Sequence, residues 1–128
     1  MMIFEVSLCP VPYVRMTQRG KWVKQDARKY LASQGQIRQA LHSIMSREGW
    51  GLIHSGQPLV VRIDIVHSHG FHGRDLDNEA KAILDAAQGV VFENDRWVDG
   101  LFLTRKRDVV GCGFILNVER LEHEREEN

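Results

Sequence analysis

The strongest strand signal in the sequence is PLVVRIDIVH, residues 58–67. Charged residues stand at two of the intervening positions, and apolar side chains occupy every second position, at Leu59, Val61, Ile63 and Ile65. Successive side chains of a strand point to opposite faces, so this alternation predicts a strand with one face in the core. The fold is therefore expected to form around a sheet whose apolar face must be covered by other elements.

Upstream of this strand, the sequence predicts a first strand, a loop and a helix. The strand spans residues 2–9 and ends at two prolines, the loop spans residues 10–22, and the helix runs from about residue 26 to residue 49. Apolar residues recur along the helix at spacings of three, four and seven: Tyr30, Leu31, Ile37, Leu41, Ile44 and Met45. This pattern predicts a helix with one apolar face.

Downstream of the strand, the sequence predicts a second helix and two further strands. The helix spans about residues 75–88, and strands at residues 98–106 and 112–121 are joined by a turn. The resulting order β-α-β-α-β-β predicts an α/β (α+β) fold, with a mixed sheet of about four strands and two helices. We expect a single domain over residues 1–128, with an acidic tail that is frayed from about residue 120.

The composition is that of an ordinary globular protein, with 128 residues of which 43% are hydrophobic and 27% charged. Apolar runs are too short to span a membrane, and the amino terminus lacks the features of a signal peptide. Cys9 and Cys112 are too few for a disulfide framework or for a cysteine zinc site. Both are expected to be reduced, buried thiols on strands of a cytoplasmic protein.

The net charge of zero hides an uneven distribution of charged residues. Residues 1–49 contain eight Lys and Arg against three Asp and Glu, so their net charge is +5. Residues 50–116 have a net charge of −2, from seven basic and nine acidic residues, and the remainder has a net charge of −3. A basic segment beside an acidic one is suited to holding a polyanion near a cluster of carboxylates.

The densest polar sequence begins with GRDLDNEAKAILD, residues 73–85. Asp75 and Asp77 are two residues apart where a loop meets the start of a helix, so both carboxylates can reach one ion. Asp77, Lys81 and Asp85 follow each other at intervals of four and lie on one helix face. This pattern indicates a cation site with a lysine beside it.

A second acidic segment, GVVFENDRWVDG, follows at residues 89–100 and contains Glu93 and Asp95. If Asp95 lies beside the helix start, it supplies a third carboxylate. Mg²⁺ takes oxygen ligands and is commonly held by a few carboxylates together with substrate phosphate. Three or four acids with a lysine therefore favour metal-dependent hydrolysis of a phosphodiester.

The acidic residues and the histidines have other possible explanations, of which the sequence excludes some and leaves others open. An Asp at the helix start is a common cap, and charges spaced by four can form a solvated ladder of ion pairs. An EF-hand counted from Asp75 fails, because Ala80 and Ala86 stand where the loop needs Gly and Glu. His67, His69 and His72 suit either metal binding or an exposed loop. A phosphate-binding loop is absent, so ATP hydrolysis and a nucleotide cofactor are not expected.

These motifs resemble the RusA family of Holliday-junction resolvases. The resemblance rests on RDLDNEAKAILD at residues 74–85 and on GVVFENDRWV at residues 89–98. The amino-terminal part is similar as well, with PVP at residues 10–12 and RMTQRG at residues 15–20. The similarity extends over most of the chain, with the segments in the family's order and at its spacing.

The resemblance implies that Asp75, Asp77 and Asp95 bind Mg²⁺, or Mn²⁺, and that Lys81 is an active-site residue. Family members usually carry two Asp residues where this chain has Asn94–Asp95. We expect the supporting positions beside the metal ligands to be Asp85, Glu93 and Asn78. DNA phosphates are expected to contact Arg15, Arg19, Lys21, Lys24, Arg28, Lys29 and Arg74.

The function implied by the resemblance is resolution of four-way DNA junctions by paired symmetric nicks, in DNA recombination and repair. A homodimer is implied, because it would match the two-fold symmetry of the junction. The implied origin is a bacterium or its prophage.

Phe71, in the loop before the acids, is either a wedge at the branch point or a buried side chain. Two alternative functions stay open: a branched-DNA-binding module without nuclease activity, and a nuclease of broader flap and branch specificity.

Overall fold

The computed structural model describes residues 1–11, 21–68 and 75–121, with side chains except at residues 21–26, 108 and 109. The elements follow one another in the predicted order β-α-β-α-β-β. They are β1 (Met2–Val6), α1 (Lys21–Glu48), β2 (Leu59–Ser68), α2 (Leu76–Ala87), a short 3₁₀ turn (Asp95–Trp97), β3 (Val98–Val109) and β4 (Gly113–Arg120). The predicted tail lies outside the described residues beyond Leu121.

The four strands form one mixed sheet in the order β1-β4-β2-β3. Strand β4 runs antiparallel to both of its neighbours, whereas β2 and β3 are parallel and are connected through α2. Ile63 of β2 marks the centre of the sheet, where it is opposite Leu116 of β4 on one side and Leu103 of β3 on the other. This confirms the predicted mixed sheet of four strands with two helices.

One face of the sheet forms the core with the two helices. The predicted alternation of β2 is confirmed, because its four apolar positions are buried while Arg62 is exposed. Helix α1 contributes Ile37 and Leu41 to this core, and α2 contributes Ile83. On the opposite face the sheet leaves apolar side chains partly exposed, with Phe102 at 60%.

Helix α1 begins at Lys21, five residues before the predicted start. The prediction of a loop over residues 21–22 is wrong, and nothing between Gly20 and residue 26 breaks a helix. The helix ends as predicted, because Gly49 adopts a φ of 71°, which costs glycine little, and Trp50 N–H donates to the Met45 carbonyl. Leu31, predicted on the apolar face, is 52% exposed.

The strands differ from the predicted ones mainly at their ends. Strand β1 stops at Val6 rather than at residue 9, and β3 continues to Val109, because Ser68 of β2 still pairs with it. Within the described residues, no helix is long and apolar enough to span a membrane.

Cys9 and Cys112 are joined by a disulfide, with their Cα atoms 5.3 Å apart. The prediction of two reduced, buried thiols is therefore wrong: Cys9 is exposed and Cys112 is only half-buried. The pairing of β1 with β4, in which Val6 is opposite Phe114, brings the two cysteines together from opposite ends of the sequence. A count of cysteines cannot reveal this adjacency.

Candidate functional site

Two of the predicted metal ligands lie at the start of α2. Asp75 is the residue before the first helical turn, and its backbone carbonyl accepts a hydrogen bond from Glu79 N–H at 3.1 Å. Its carboxylate does not cap the helix. Asp77 is also exposed and accepts a 3.0 Å hydrogen bond from the backbone N–H of Asn78. The sequence pattern thus places two exposed carboxylates at a helix start, where the helix dipole favours negative charge.

The predicted polar face of α2 is present in the structure. Asp77 and Lys81 are exposed and Asp85 is half-buried, whereas Ala80 and Ile83 are buried on the opposite side. An amphipathic helix with this division of side chains must dock its alanine-rich face on the sheet. Lys81 is consequently carried about one turn along the helix from Asp77, facing solvent.

Asp85 makes contacts that join the two helices. Its carboxylate accepts hydrogen bonds from the Tyr30 hydroxyl at 2.8 Å and from Gln88 Nε2 at 3.4 Å. Arg38 of α1 donates to the backbone carbonyls of Asp85 and Ala86 at 3.1 and 3.2 Å. The side chain of Asp85 is therefore occupied in packing α2 against α1.

Asp95 opens the 3₁₀ turn that precedes β3 and is half-buried. The preceding Asn94 caps this turn, because its side-chain oxygen accepts a 2.9 Å hydrogen bond from Arg96 N–H. The Arg96 guanidinium lies over the Trp97 ring, 5.5 Å from its centroid. The local conformation of Asp95 is thus held by its neighbours on both sides.

Glu93 is held by the loop that precedes β2. Its carboxylate accepts hydrogen bonds from the Ser55 hydroxyl at 2.7 Å, from His54 Nδ1 at 2.6 Å and from the Ser55 backbone N–H at 3.1 Å. These bonds, led by that from the Ser55 hydroxyl, lower the pKa of Glu93 to about 2. Glu93 is thus engaged in a contact with residues 54–55.

Helix α2 lies between the acids along the chain. Asp75 and Asp77 are at its start, and the chain reaches Asp95 only after its end; a helix of twelve residues is about 18 Å long. Among the residues described here, the one group of three or more potential ligands close enough to hold a metal ion is Cys9, His67 and Cys112. Asp75 and Asp77 thus share the start of α2, whereas Asp95 follows the other end of this helix along the chain.

The donors at the start of α2 suit a hard cation. Carboxylate oxygens are the preferred ligands of Mg²⁺, which retains several waters and needs few protein groups. The carboxylate of Asp75 makes no capping hydrogen bond to the helix, and the side chains of Asp75 and Asp77 are both exposed. On these grounds the residues present fit Mg²⁺. Their assignment as ligands stays a prediction.

The residues predicted to contact DNA are divided between described and undescribed parts of the chain. Arg28 and Lys29 are exposed on α1, and Lys21 and Lys24 belong to its first turns, where only the backbone is described. Arg15, Arg19 and Arg74 lie outside the described residues. So do Phe71, predicted as a wedge or a buried side chain, and the loop histidines His69 and His72.

Sequence reasoning missed a buried polar cluster beneath the start of α2. His67 ends the predicted strand, and the sequence leaves it open between metal binding and an exposed position. In the structure it is 3% exposed on β2, and its Nε2 lies 2.5 Å from the fully buried Glu79 of α2. Arg105 of β3 donates to the other carboxylate oxygen of Glu79 at 3.0 Å. The spacing of Glu79 with Ile83 and Ala86 on the apolar face was the available signal.

No curated protein matches the sequence significantly. The family described as Endodeoxyribonuclease RusA does match, over residues 12–112 of the 128, a span that includes both helices, both acidic segments and the parallel strands β2 and β3. Because this match extends over far more than half of the sequence, the chain belongs to the RusA endodeoxyribonuclease family, whose members are endonucleases of the Holliday-junction-resolving type.

Proposed function

We propose that this protein is a Mg²⁺-dependent endonuclease that resolves four-way DNA junctions by paired, symmetric nicks during recombination and repair. The observation that carries the proposal is the start of α2, where Asp75 and Asp77 are exposed and Lys81 follows on the same side of the helix. This arrangement lies inside the segment that matches the endonuclease family.

The proposed metal ligands are Asp75, Asp77 and Asp95, with Mg²⁺ or Mn²⁺ as the ion. When bound, such an ion polarises a phosphoryl oxygen and lowers the pKa of a coordinated water. The protein's own part is to concentrate negative charge at the helix start and to keep it solvent-exposed, so that a DNA phosphate can approach. Lys81 would contact the scissile phosphate, where its ammonium group stabilises charge that develops on the oxygens.

The basic part of α1 is proposed to bind the DNA backbone. Arg28 and Lys29 are exposed there, and two further lysines stand in the first turns of the helix. Contacts of Lys and Arg with phosphates release counterions, so junction affinity should fall steeply as salt is raised. The side chain of Asp85 fixes α2 against this helix and thereby relates the basic surface to the acidic one.

We propose that the protein acts as a homodimer. A four-way junction has two-fold symmetry, and two identical subunits related by a two-fold axis present equivalent sites to two equivalent strands. Sedimentation with and without a junction tests this directly. A monomer in both conditions would rule out paired cleavage by one complex.

The deciding experiment is cleavage of a synthetic four-way junction with Mg²⁺ and with EDTA, using wild type, Asp77→Asn and the control Asp99→Asn. Asp99 is another exposed Asp, on β3. We expect cleavage by wild type and the control only with Mg²⁺, and none by Asp77→Asn, which should still bind the junction because it carries less charge to repel phosphate. Equal cleavage by Asp77→Asn would refute the site.

The same experiment separates the two alternative functions when it includes flap and three-way substrates. Binding of junctions by wild type without any cleavage would identify a non-catalytic branched-DNA-binding module. Cleavage of all branched substrates at similar rates would identify a nuclease of broader flap and branch specificity. The proposed function requires that the four-way junction be cut fastest and at symmetric positions.

A further inference from the structure

A second constellation of ligand-type side chains lies apart from the acidic face of α2. Cys9 follows β1, His67 stands near the end of β2, and Cys112 precedes β4. One potential ligand atom from each of the three lies within 4.8 Å of the others. The sulfur of Cys112 is 3.6 Å from Nδ1 of His67. The ends of β1 and β2 and the start of β4 therefore bring these three side chains close together.

The orientation of His67 matches that of a metal-binding histidine. Its Nε2 faces the carboxylate of Glu79 at 2.5 Å, and the carboxylate accepts a hydrogen bond when the proton is on Nε2. This tautomer leaves the lone pair on Nδ1, the nitrogen that faces the cysteines. Histidines that bind metals typically donate their other ring nitrogen to a carboxylate in this way, which fixes the tautomer and the ring.

His67 lies in a buried environment, in which its charged neighbours are paired with each other. Its side chain is 4% exposed and that of Glu79 is fully buried, while Arg105 pairs with the second carboxylate oxygen of Glu79. Strand β4 also approaches β1 very closely at this point: a Cβ at Gly113 would lie 2.5 Å from the Val6 carbonyl oxygen. The backbone thus brings Cys112 to the end of β1 and to the buried histidine.

We infer that, in the reduced protein, Cys9, Cys112 and His67 bind a thiophilic divalent ion, of which Zn²⁺ is the representative. Two thiolates and one imidazole with a water in the fourth position form a known tetrahedral zinc arrangement. With zinc–sulfur and zinc–nitrogen distances of about 2.3 and 2.0 Å, a tetrahedral site needs sulfur and nitrogen about 3.5 Å apart. The present separation of Cys112 and His67 already meets this requirement.

Charge and proton balance are satisfied by the groups present. Each cysteine thiol loses its proton on binding, so two protons are released and no electrons are transferred. The two thiolates cancel the charge of the ion, and Arg105 compensates Glu79. In the disulfide form the two sulfurs are bonded to each other and cannot both serve as thiolate ligands. The metal and the disulfide are thus two alternative links between the ends of β1 and β4.

The test uses Co²⁺ as a spectroscopic substitute for Zn²⁺, added to wild type that has been reduced with a phosphine and to wild type that retains its disulfide. The reduced protein should bind one ion and show a thiolate-to-cobalt charge-transfer band together with the strong visible bands of tetrahedral cobalt. The disulfide form should show neither. Zn²⁺ should displace the cobalt and abolish the bands. Absence of the charge-transfer band from the reduced protein would overturn the inference.

Variants identify the ligands. Cys9→Ser, Cys112→Ser and His67→Gln should each weaken zinc binding by at least about 100-fold, because each lacks one ligand. The control His42→Gln replaces an exposed histidine of α1 and should bind like wild type. Undiminished affinity in any ligand variant, or loss in the control, would overturn the assignment.

Circular dichroism identifies a variant that does not fold, and the comparison of reduced with oxidised wild type needs no variant. The proposed Mg²⁺ ligands Asp75 and Asp77 are not among the ligands of this site, so the result is independent of the proposed nuclease activity.

Discussion

The hydroxyl of Tyr30 donates a 2.8 Å hydrogen bond to Oδ2 of Asp85, across 55 residues of sequence. Tyr30 is 3% exposed on α1, and Asp85 stands on the polar face of α2. The bond therefore holds α2 against α1. Helix α2 carries Asp77 and Lys81, and α1 carries the basic residues. Asp85 belongs to the family motif, and this contact gives it a structural role that differs from metal binding.

Removal of the hydroxyl in Tyr30→Phe should lower the free energy of unfolding by about 1 kcal/mol, because a largely buried hydrogen bond is lost while the ring remains. The cleavage rate of the folded enzyme on four-way junctions should not change. Urea unfolding and single-turnover cleavage of the same preparation measure the two quantities. A fall in cleavage rate of tenfold or more without a loss of stability would place Asp85 at the reacting phosphate instead.

Lys81→Ala should reduce the single-turnover cleavage rate far more than it weakens junction binding. The proposed role of its ammonium group is to stabilise charge that develops during the reaction, and such an interaction contributes little to the bound ground state. The matched control is Lys106→Ala, which removes an exposed lysine from β3. If Lys81 belonged only to a ladder of ion pairs on α2, its removal would leave cutting normal and lower the melting temperature slightly.

The periodic parts of the fold could be predicted from sequence because burial imposes a period on the side chains. In β2, Val61 and Ile63 flank the charged Arg62, and the structure buries those two apolar residues completely. In α2, Ala80 and Ile83 mark the buried side, as their spacing indicated. The same reasoning predicted the order of the elements, and Gly49 marked the end of α1.

The contacts that sequence reasoning missed depend on which strands become neighbours. Cys9 meets Cys112 only because β1 pairs with β4, and no local pattern encodes that pairing. Likewise, buried His67 has its partner Glu79 on another element, and Arg105 of β3 in turn pairs with Glu79. A histidine considered alone gives no sign of such partners. The placement of Asp95 relative to α2 is also a tertiary property, which the spacing of acids along the chain could not supply.

Acid should weaken the contact between Glu93 and the loop before β2. The pKa of Glu93 is lowered from 4.5 to about 2 in the folded protein, so the folded state favours the ionised form. Its contribution to stability is complete above the unfolded value near 4.5 and is lost as the pH falls through about 2. The stability difference between wild type and Glu93→Gln should accordingly shrink over this range.

Urea unfolding of both proteins at a series of pH values measures that difference. Ser55→Ala removes the principal donor to Glu93 and should show a smaller pH dependence than wild type in the same range. A constant difference between wild type and Glu93→Gln from pH 5 to pH 2, roughly the span in which a carboxylate of this kind titrates, would contradict the assigned hydrogen bonds.

Asn94→Asp should be tolerated. The side-chain oxygen of Asn94 caps the 3₁₀ turn by accepting from Arg96 N–H, and an Asp oxygen can accept the same bond. Added negative charge beside Asp95 should also strengthen Mg²⁺ binding, at some cost in phosphate repulsion. Asn94→Ala is the matched control, since it removes the cap and adds no charge.

Asp95→Asn should be inactive, because the proposed site needs a third carboxylate and Asp95 is the proposed third ligand. An amide oxygen is an uncharged and weaker ligand for a hard cation. Mg²⁺ titrations of junction cleavage should therefore show half-saturation at lower concentration for Asn94→Asp, and no cleavage for Asp95→Asn at any concentration. Glu93→Gln should cut normally, because Glu93 is engaged with Ser55 and His54. Full activity of Asp95→Asn together with an inactive Glu93→Gln would identify Glu93 as the third ligand.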